Sequence, residues 1–162
     1  MRTILTALTA LMFFATPVVA GDLEDTRAAY AAGDYQKAFP LWKPLAERGN
    51  PMAQFFLGLV YADGKGEPED DAKAVHWYRK AAERGHARTP QNLGAAYALG
   101  RGVRRDYVQA HAWTSIAVAQ GVDDAKGNKD KFRERMAPAQ IAEAQKLSSE
   151  YWEKYVVPFQ KD

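Results

Sequence analysis

Apolar residues in this chain fall in a helical rhythm that recurs. From Asp70 to Arg84, Ala74, Trp77, Tyr78, Ala81 and Ala82 stand at i, i+3, i+4, i+7 and i+8, which puts them on one face of a helix. The stretch from Asp106 repeats this with Ala110, Trp113, Thr114, Ala117 and Val118, and the stretch from Asp34 with Ala38, Leu41, Trp42, Leu45 and Ala46. In each copy an Asp precedes the pattern and a Gly follows it: Asp34 with Gly49, Asp70 with Gly85, Asp106 with Gly121. These are helix start and stop signals, an N-cap carboxylate and a glycine able to take positive φ. The echo is 36 residues long, pairing Leu57 with Leu93, Gly58 with Gly94, Tyr61 with Tyr97, Gly64 with Gly100 and Gly66 with Gly102. A period in this range marks stacked supersecondary units, none able to bury its apolar face alone.

A second helix precedes each of the later patterns, over about 52–62 and 90–98, with Ala53, Leu57, Val60 and Tyr61 as the buried stripe of the first. Gly58 and Gly94 remove side chains where paired helices approach. The unit is an αα hairpin, and the fold class is all-α, an α/α superhelical solenoid of helical hairpins. The expected division is a leader over 1–20, a tetratricopeptide-like hairpin over 21–49, repeats over 50–85 and 86–121, a degenerate capping hairpin over 122–157 and a tail over 158–162. The first hairpin is abbreviated, with a tight Gly33-Asp34 turn, and Pro40 and Pro44 inside its second helix predict a kink or a break. Towards the C-terminus Lys129 and Arg133 stand where Leu93 and Tyr97 stood, as suits a cap, and Pro138 opens a last helix whose Ile141, Ala144, Ser148, Trp152 and Tyr155 share roughly one side.

Composition narrows the setting. Arg2, an apolar run from Ile4 to Phe14, and Val18-Val19-Ala20 read as a secretory signal cut between Ala20 and Gly21. Its apolar core of about 11 residues falls short of the roughly 20 that a membrane span needs, so no stable membrane insertion follows its removal. About 142 residues would remain, enough for one continuous core. The expected location is periplasmic or secreted. The chain has no cysteine, which excludes disulfides, a lipidated cysteine and thiolate metal sites. Lys and Arg total 22 against 20 Asp and Glu, a near-balance that argues against a nucleic-acid partner. A monomer is expected.

Local chemistry adds little. Gly64-Lys65-Gly66 and Gly100-Arg101-Gly102 follow no strand and lack a third glycine, so they read as turns and not as a phosphate cradle. His76, His86 and His111 show no metal-ligand spacing, His76 and His111 reading as partly exposed helix positions. Glu67, Glu69, Asp70 and Asp71 suit a helix start. Trp42, Trp77 and Trp113 read as core. Ser115, Ser148 and Ser149 lack a positioned histidine, so no catalytic residue, cofactor or metal site is expected. Arg101, Arg104 and Arg105 form a basic loop that a solvated role or an acidic partner would suit.

The run LGxxYxxGxG, then Asp, then AxxWYxxAAxxG, carried by Leu57 to Gly66, Asp70 and Ala74 to Gly85, resembles the Sel1-like repeat family over about 34–121. RMAPAQIAEAQKL resembles the capping tail of bacterial members. The resemblance implies a non-enzymatic scaffold that binds other proteins, often exported and tied to envelope, polysaccharide or signalling roles. Members linked to β-lactam recognition carry repeat cysteines that this chain lacks. An envelope protein is therefore the expected partner; a small-molecule or cell-wall glycan binder is the alternative, and a cell-wall hydrolase using Glu or Asp is third. An aromatic pocket with polar neighbours would favour glycan, and a shallow apolar strip protein. On the helix near 52–62, Phe55 and Leu59 point away from the buried stripe. They pack on the neighbouring hairpin, or else Phe55, Phe56 and Leu59 continue through Gln91, Asn92 and Ala95 as an inner-face strip for a partner helix or extended peptide.

Overall fold

The computed structural model describes residues 20–160; the leader and its cleavage point fall outside or at the edge of that range. Among the described residues eight α-helices follow one another: α1 (Ala20–Ala31), α2 (Tyr35–Glu47), α3 (Pro51–Asp63), α4 (Asp71–Ala82), α5 (Thr89–Leu99), α6 (Tyr107–Ala119), α7 (Ala125–Arg133) and α8 (Pro138–Tyr155), closed by a 3-10 turn at Val157–Phe159. Each helix from α1 to α6 packs on the next, most closely within the pairs α3–α4 and α5–α6, and α8 docks back on α6. The result is an α-helical repeat solenoid with no strand among the described residues.

The repeat's start and stop signals act as read. Asp34, Asp70 and Asp106 accept the amides of Lys37 (3.2 Å), Lys73 (2.9 Å) and both Val108 and Gln109 (2.9 and 3.1 Å) at the starts of α2, α4 and α6. The Lys73 amide bond leads the causes that hold the Asp70 carboxyl below its usual pKa. Gly49, Gly85 and Gly121 end the same helices at φ of 94°, 77° and 78°. Within a pair the helices touch where a side chain is missing: a Cβ on Gly58 would enter the Tyr78 ring, and one on Gly94 would meet Thr114. In the loops, Gly66 lies against the carbonyl of Tyr35 and Gly102 against that of Asp71, each the first residue of the preceding unit's second helix.

Two expectations need correction here. Of the kink or break expected from Pro40 and Pro44, the break is excluded: the second helix of the first hairpin runs unbroken from Tyr35 to Glu47. Pro40 and Pro44 are one turn apart on its exposed side, so the carbonyls they leave without an amide lie on the solvent-facing side. The three tryptophans are not one core row. Trp42 is 0% exposed and shares its repeat position with Tyr78 and Thr114, whereas Trp77 shares a position with Leu41 and Trp113. Trp77 is only half-buried, with Lys80 5.0 Å over its ring. Trp113 is 4% exposed because α8 lays Tyr151 on it at 4.3 Å and Tyr155 at 5.9 Å.

The core runs in three contiguous clusters. The first joins Ala38, Trp42, Leu45, Ala53, Leu57 and Val60 with Phe56 against them. Next, Val75, Tyr78, Leu93 and Trp113 gather Phe55, Leu59, Tyr151 and Tyr155. Val108, Met136 and Ala144 form the third, beneath α8. Burial of such aromatic and aliphatic groups, at about 1.5–3 kcal/mol each, is what holds short helices together.

A groove between α3 and α5

α3 and α5 are the first helices of adjacent repeats, and the space between them is floored by α4. Leu59 and Ala62 on α3, Val75 and Tyr78 on α4, and Asn92, Ala95, Ala96 and Leu99 on α5 line a cleft of about 240 Å³. Leu99 stands at its lip, 68% exposed. Asp63, Asp71 and Arg101 edge it. Burial raises the Tyr78 phenol well above its usual pKa, the Asn92 side chain opposing as its hydrogen-bond partner, so Tyr78 is a neutral wall of this cleft.

A second cleft of about 480 Å³ adjoins it and shares Leu59 and Asn92. Phe55, Gln91, Gln120, Arg88, Asp123 and Asp124 line this part. Phe55 is half-buried and stacks on His86 at 4.5 Å. Burial, with the charge of Arg88 second, pushes His86 down to about 4, and its Nδ1 pairs with Thr89 Oγ1 at 2.8 Å. The imidazole is thus a neutral platform under the phenyl ring at neutral pH.

Of the inner-face residues singled out from sequence, Leu59, Asn92 and Ala95 meet in the first cleft, and Phe55 and Gln91 join Leu59 and Asn92 in the second. Phe56 turns the other way, stacking on Trp42 at 4.3 Å and meeting Tyr30 at 5.0 Å, so it welds the first two hairpins together. One residue step on a helix is about 100°, enough to send neighbouring phenylalanines to different units. Among the basic loop residues, Arg101 is engaged within the chain: it reaches Asp71 at 2.8 Å and Glu69 at 3.0 Å, clasping one repeat's loop to the next. Arg104 and Arg105 are exposed and border a separate shallow depression with Tyr97, Tyr107 and Gln109.

Sequence reading missed Leu99, Val75 and the Asp123-Asp124 pair as groove residues. Leu99 had a signal, an apolar residue just before the Gly100 stop; the others depend on which neighbours the loops bring near. It also misplaced His111, which is 2% exposed and not partly exposed. α5, α7 and α8 all pack against α6, and burial, with Lys129 and Arg133 next, lowers its pKa. His111 Nδ1 lies 3.4 Å from Ser115 Oγ, but that hydroxyl donates to the His111 carbonyl at 2.8 Å. This is a helix-internal bond, not a nucleophile aimed at a cleft. Among the described residues no cluster of three or more His, Asp or Glu could hold a metal ion, and no helix is long and apolar enough to cross a membrane.

The family description Sel1 repeat matches residues 51–86 and 91–122. The crystal structure of c5321, described as a protective antigen present in uropathogenic Escherichia coli strains and displaying an SLR fold, is similar at 32% identity with a TM-score of 0.80, over 83% of this chain and 30% of that one. A Sel1 repeat protein from Oxalobacter formigenes is 35% identical with a TM-score of 0.55, over 57% of this chain and 27% of its own. The chain thus spans less than a third of the length of either. No curated protein matches it. The recurring caps, the glycines at the helix contacts and loops, and these likenesses agree: the chain carries two Sel1 repeats, at 51–86 and 91–122, set in an α-helical solenoid.

Proposed function

We propose that this protein is an exported, non-enzymatic scaffold that holds a protein partner in the groove between α3 and α5. The observation that carries the reading is the character of the lining. Leu59, Ala62, Val75, Ala95, Ala96 and Leu99 give an aliphatic strip, and Gln91 and Asn92 offer amides that can pair with a partner's backbone. A glycan site would need an open aromatic platform; Phe55 is instead taken up by His86, and Tyr78 by the core. Sel1 repeats as a class serve protein interaction. Export rests on Arg2, the apolar run from Ile4 and the small residues before Gly21, and a periplasmic or secreted place is in keeping with the similar E. coli protein being a protective antigen.

The test is affinity capture from an envelope extract with the chain from Gly21 onwards, beside the variants Leu99→Asp and Asn92→Ala, followed by mass spectrometry. Both residues line the groove, and Leu99 is exposed enough for the change to leave folding intact. A partner retained by the parent and lost from Leu99→Asp supports the reading. Retention unaltered by both changes moves the binding site elsewhere. N-terminal sequencing of protein recovered from its producing cells checks export, and a chain still beginning at Met1 in the cytoplasmic fraction overturns it.

A further inference from the structure

The groove's charge runs against that of the molecule around it. The whole chain has a formal net charge of +2, yet the two clefts are lined by four carboxylates, Asp63, Asp71, Asp123 and Asp124, against two guanidiniums, Arg88 and Arg101. In the aliphatic half the carboxylates are already neutralised, Asp63 by Lys65 at 3.2 Å and Asp71 by Arg101 at 2.8 Å. In the amide half they are not: Asp123 and Asp124 are exposed, and among the described residues no ion pair engages either. Beside them Gln120 Oε1 is buried without a hydrogen-bond donor. The polar half thus offers negative charge from Asp123 and Asp124 and the amides of Gln91 and Asn92, and the other half offers aliphatic wall.

We propose that the groove selects an extended peptide segment carrying an apolar side chain and, further along, a Lys or Arg. The apolar side chain lies among Leu59, Ala95 and Leu99, Asn92 at the junction of the clefts pairs with the peptide backbone, and the cation reaches Asp123 and Asp124. This deepens the scaffold reading and rests on it. Complementary charge at the exposed end sets which peptide is chosen and how fast it arrives, more than how tightly the apolar end holds. Affinity therefore falls as salt rises, since an exposed pair is screened over about 8 Å at physiological ionic strength.

The experiment selects phage-displayed random peptides on the chain from Gly21 onwards, then measures fluorescently labelled hits by anisotropy against the parent, Asp123→Asn/Asp124→Asn, Leu99→Asp and, as a control remote from the groove, Asp25→Asn. The expected result is hits pairing an apolar residue with Lys or Arg, bound at least tenfold more weakly by the double variant and unchanged by the control. Hits lost from Leu99→Asp but without basic residues, or indifferent to the double variant, overturn the charge selection and leave the scaffold reading standing. No peptide selected overturns both, as does binding of chitotetraose that Leu99→Asp abolishes. Circular dichroism melts of each variant separate loss of binding from loss of fold.

Discussion

α4 and α6 occupy the same place in successive repeats, with the same aspartate cap and the same glycine stop, and yet they meet different fates. α4 buries Ala74, Val75, Tyr78, Ala81 and Ala82 and leaves His76, Arg79 and Lys80 in solvent. α6 buries Val108, Ala110, His111, Ala112, Trp113, Thr114, Ile116 and Ala117, which is nearly its whole circumference. The substitutions between them explain it: His76 becomes Ala112, Arg79 becomes Ser115, Lys80 becomes Ile116 and Glu83 becomes Ala119. A helix apolar on every side must be covered on every side, and α8 provides the cover. One repeat is thus written to face water, and the next to receive the terminal helix.

The sharpest break in this comparison is the tryptophan pair. Trp113→Ala should destabilise the chain by about 3–5 kcal/mol, because it empties the contact under Tyr151 and Tyr155. Trp77→Ala should cost only about 1–2 kcal/mol, since that ring is half-buried under Lys80. Equal losses in urea melts would mean that α8 adds nothing to the position. Exchanging the outer faces comes next. Ile116→Lys puts an ammonium at a 3% exposed site beneath α8 and should cost about 2–4 kcal/mol. The reciprocal Lys80→Ile should change stability by no more than about 0.5 kcal/mol. If Ile116→Lys melts like the parent, α8 is not seated as described.

Tyr151→Phe asks a smaller question, keeping the stacking and removing the hydroxyl that donates to Gln109 Oε1 at 2.9 Å. About 1 kcal/mol should be lost, and a Tyr151→Phe/Gln109→Leu double variant should recover part of it. The smallest effect lies in pH dependence. Where α4 has Val75, α6 has His111, whose folded-state pKa is lowered by burial. The unfolded chain then takes up the proton first, so stability is whole above the ordinary histidine value of 6.5 and declines as pH falls below it. His111→Val should flatten that decline without abolishing it, because His86 is depressed in the same direction, to about 4. An unchanged slope in melts between pH 7 and 4.5 would show that His111 does not contribute.

Legibility followed distance along the chain. The caps depend on residues a turn apart, and the helix contacts at Gly58 and Gly94 recur with the 36-residue period, so all could be read. Trp77 and Trp113 look identical in the repeat; what separates them is Tyr151, some forty residues from Trp113, and the stripe Ala144, Ser148, Tyr151, Tyr155 that carries it was read with Trp152 in place of Tyr151. The groove was half visible. Leu59, Asn92 and Ala95 could be placed by helical phase, but Phe56 and Phe55 differ by one residue step and only packing assigns one to the first hairpin and the other to the cleft. Asp123 and Asp124 read as the polar start of a cap, since nothing local says that the α6–α7 turn returns beside Gln91.

The seating of Gly66 on Tyr35 and of Gly102 on Asp71 has a bearing on how such a chain can change length. Both contacts join residues the same distance apart in sequence; a Cβ on Gly102 has no room, and one on Gly66 would press on the Tyr35 carbonyl at 3.0 Å. A single residue gained or lost within either span would move the glycine that closes it off its seat, whereas the gain or loss of a complete hairpin leaves each seat as it was. Within those two spans growth and shrinkage are thereby confined to whole hairpins, with smaller variation left to the segments outside them.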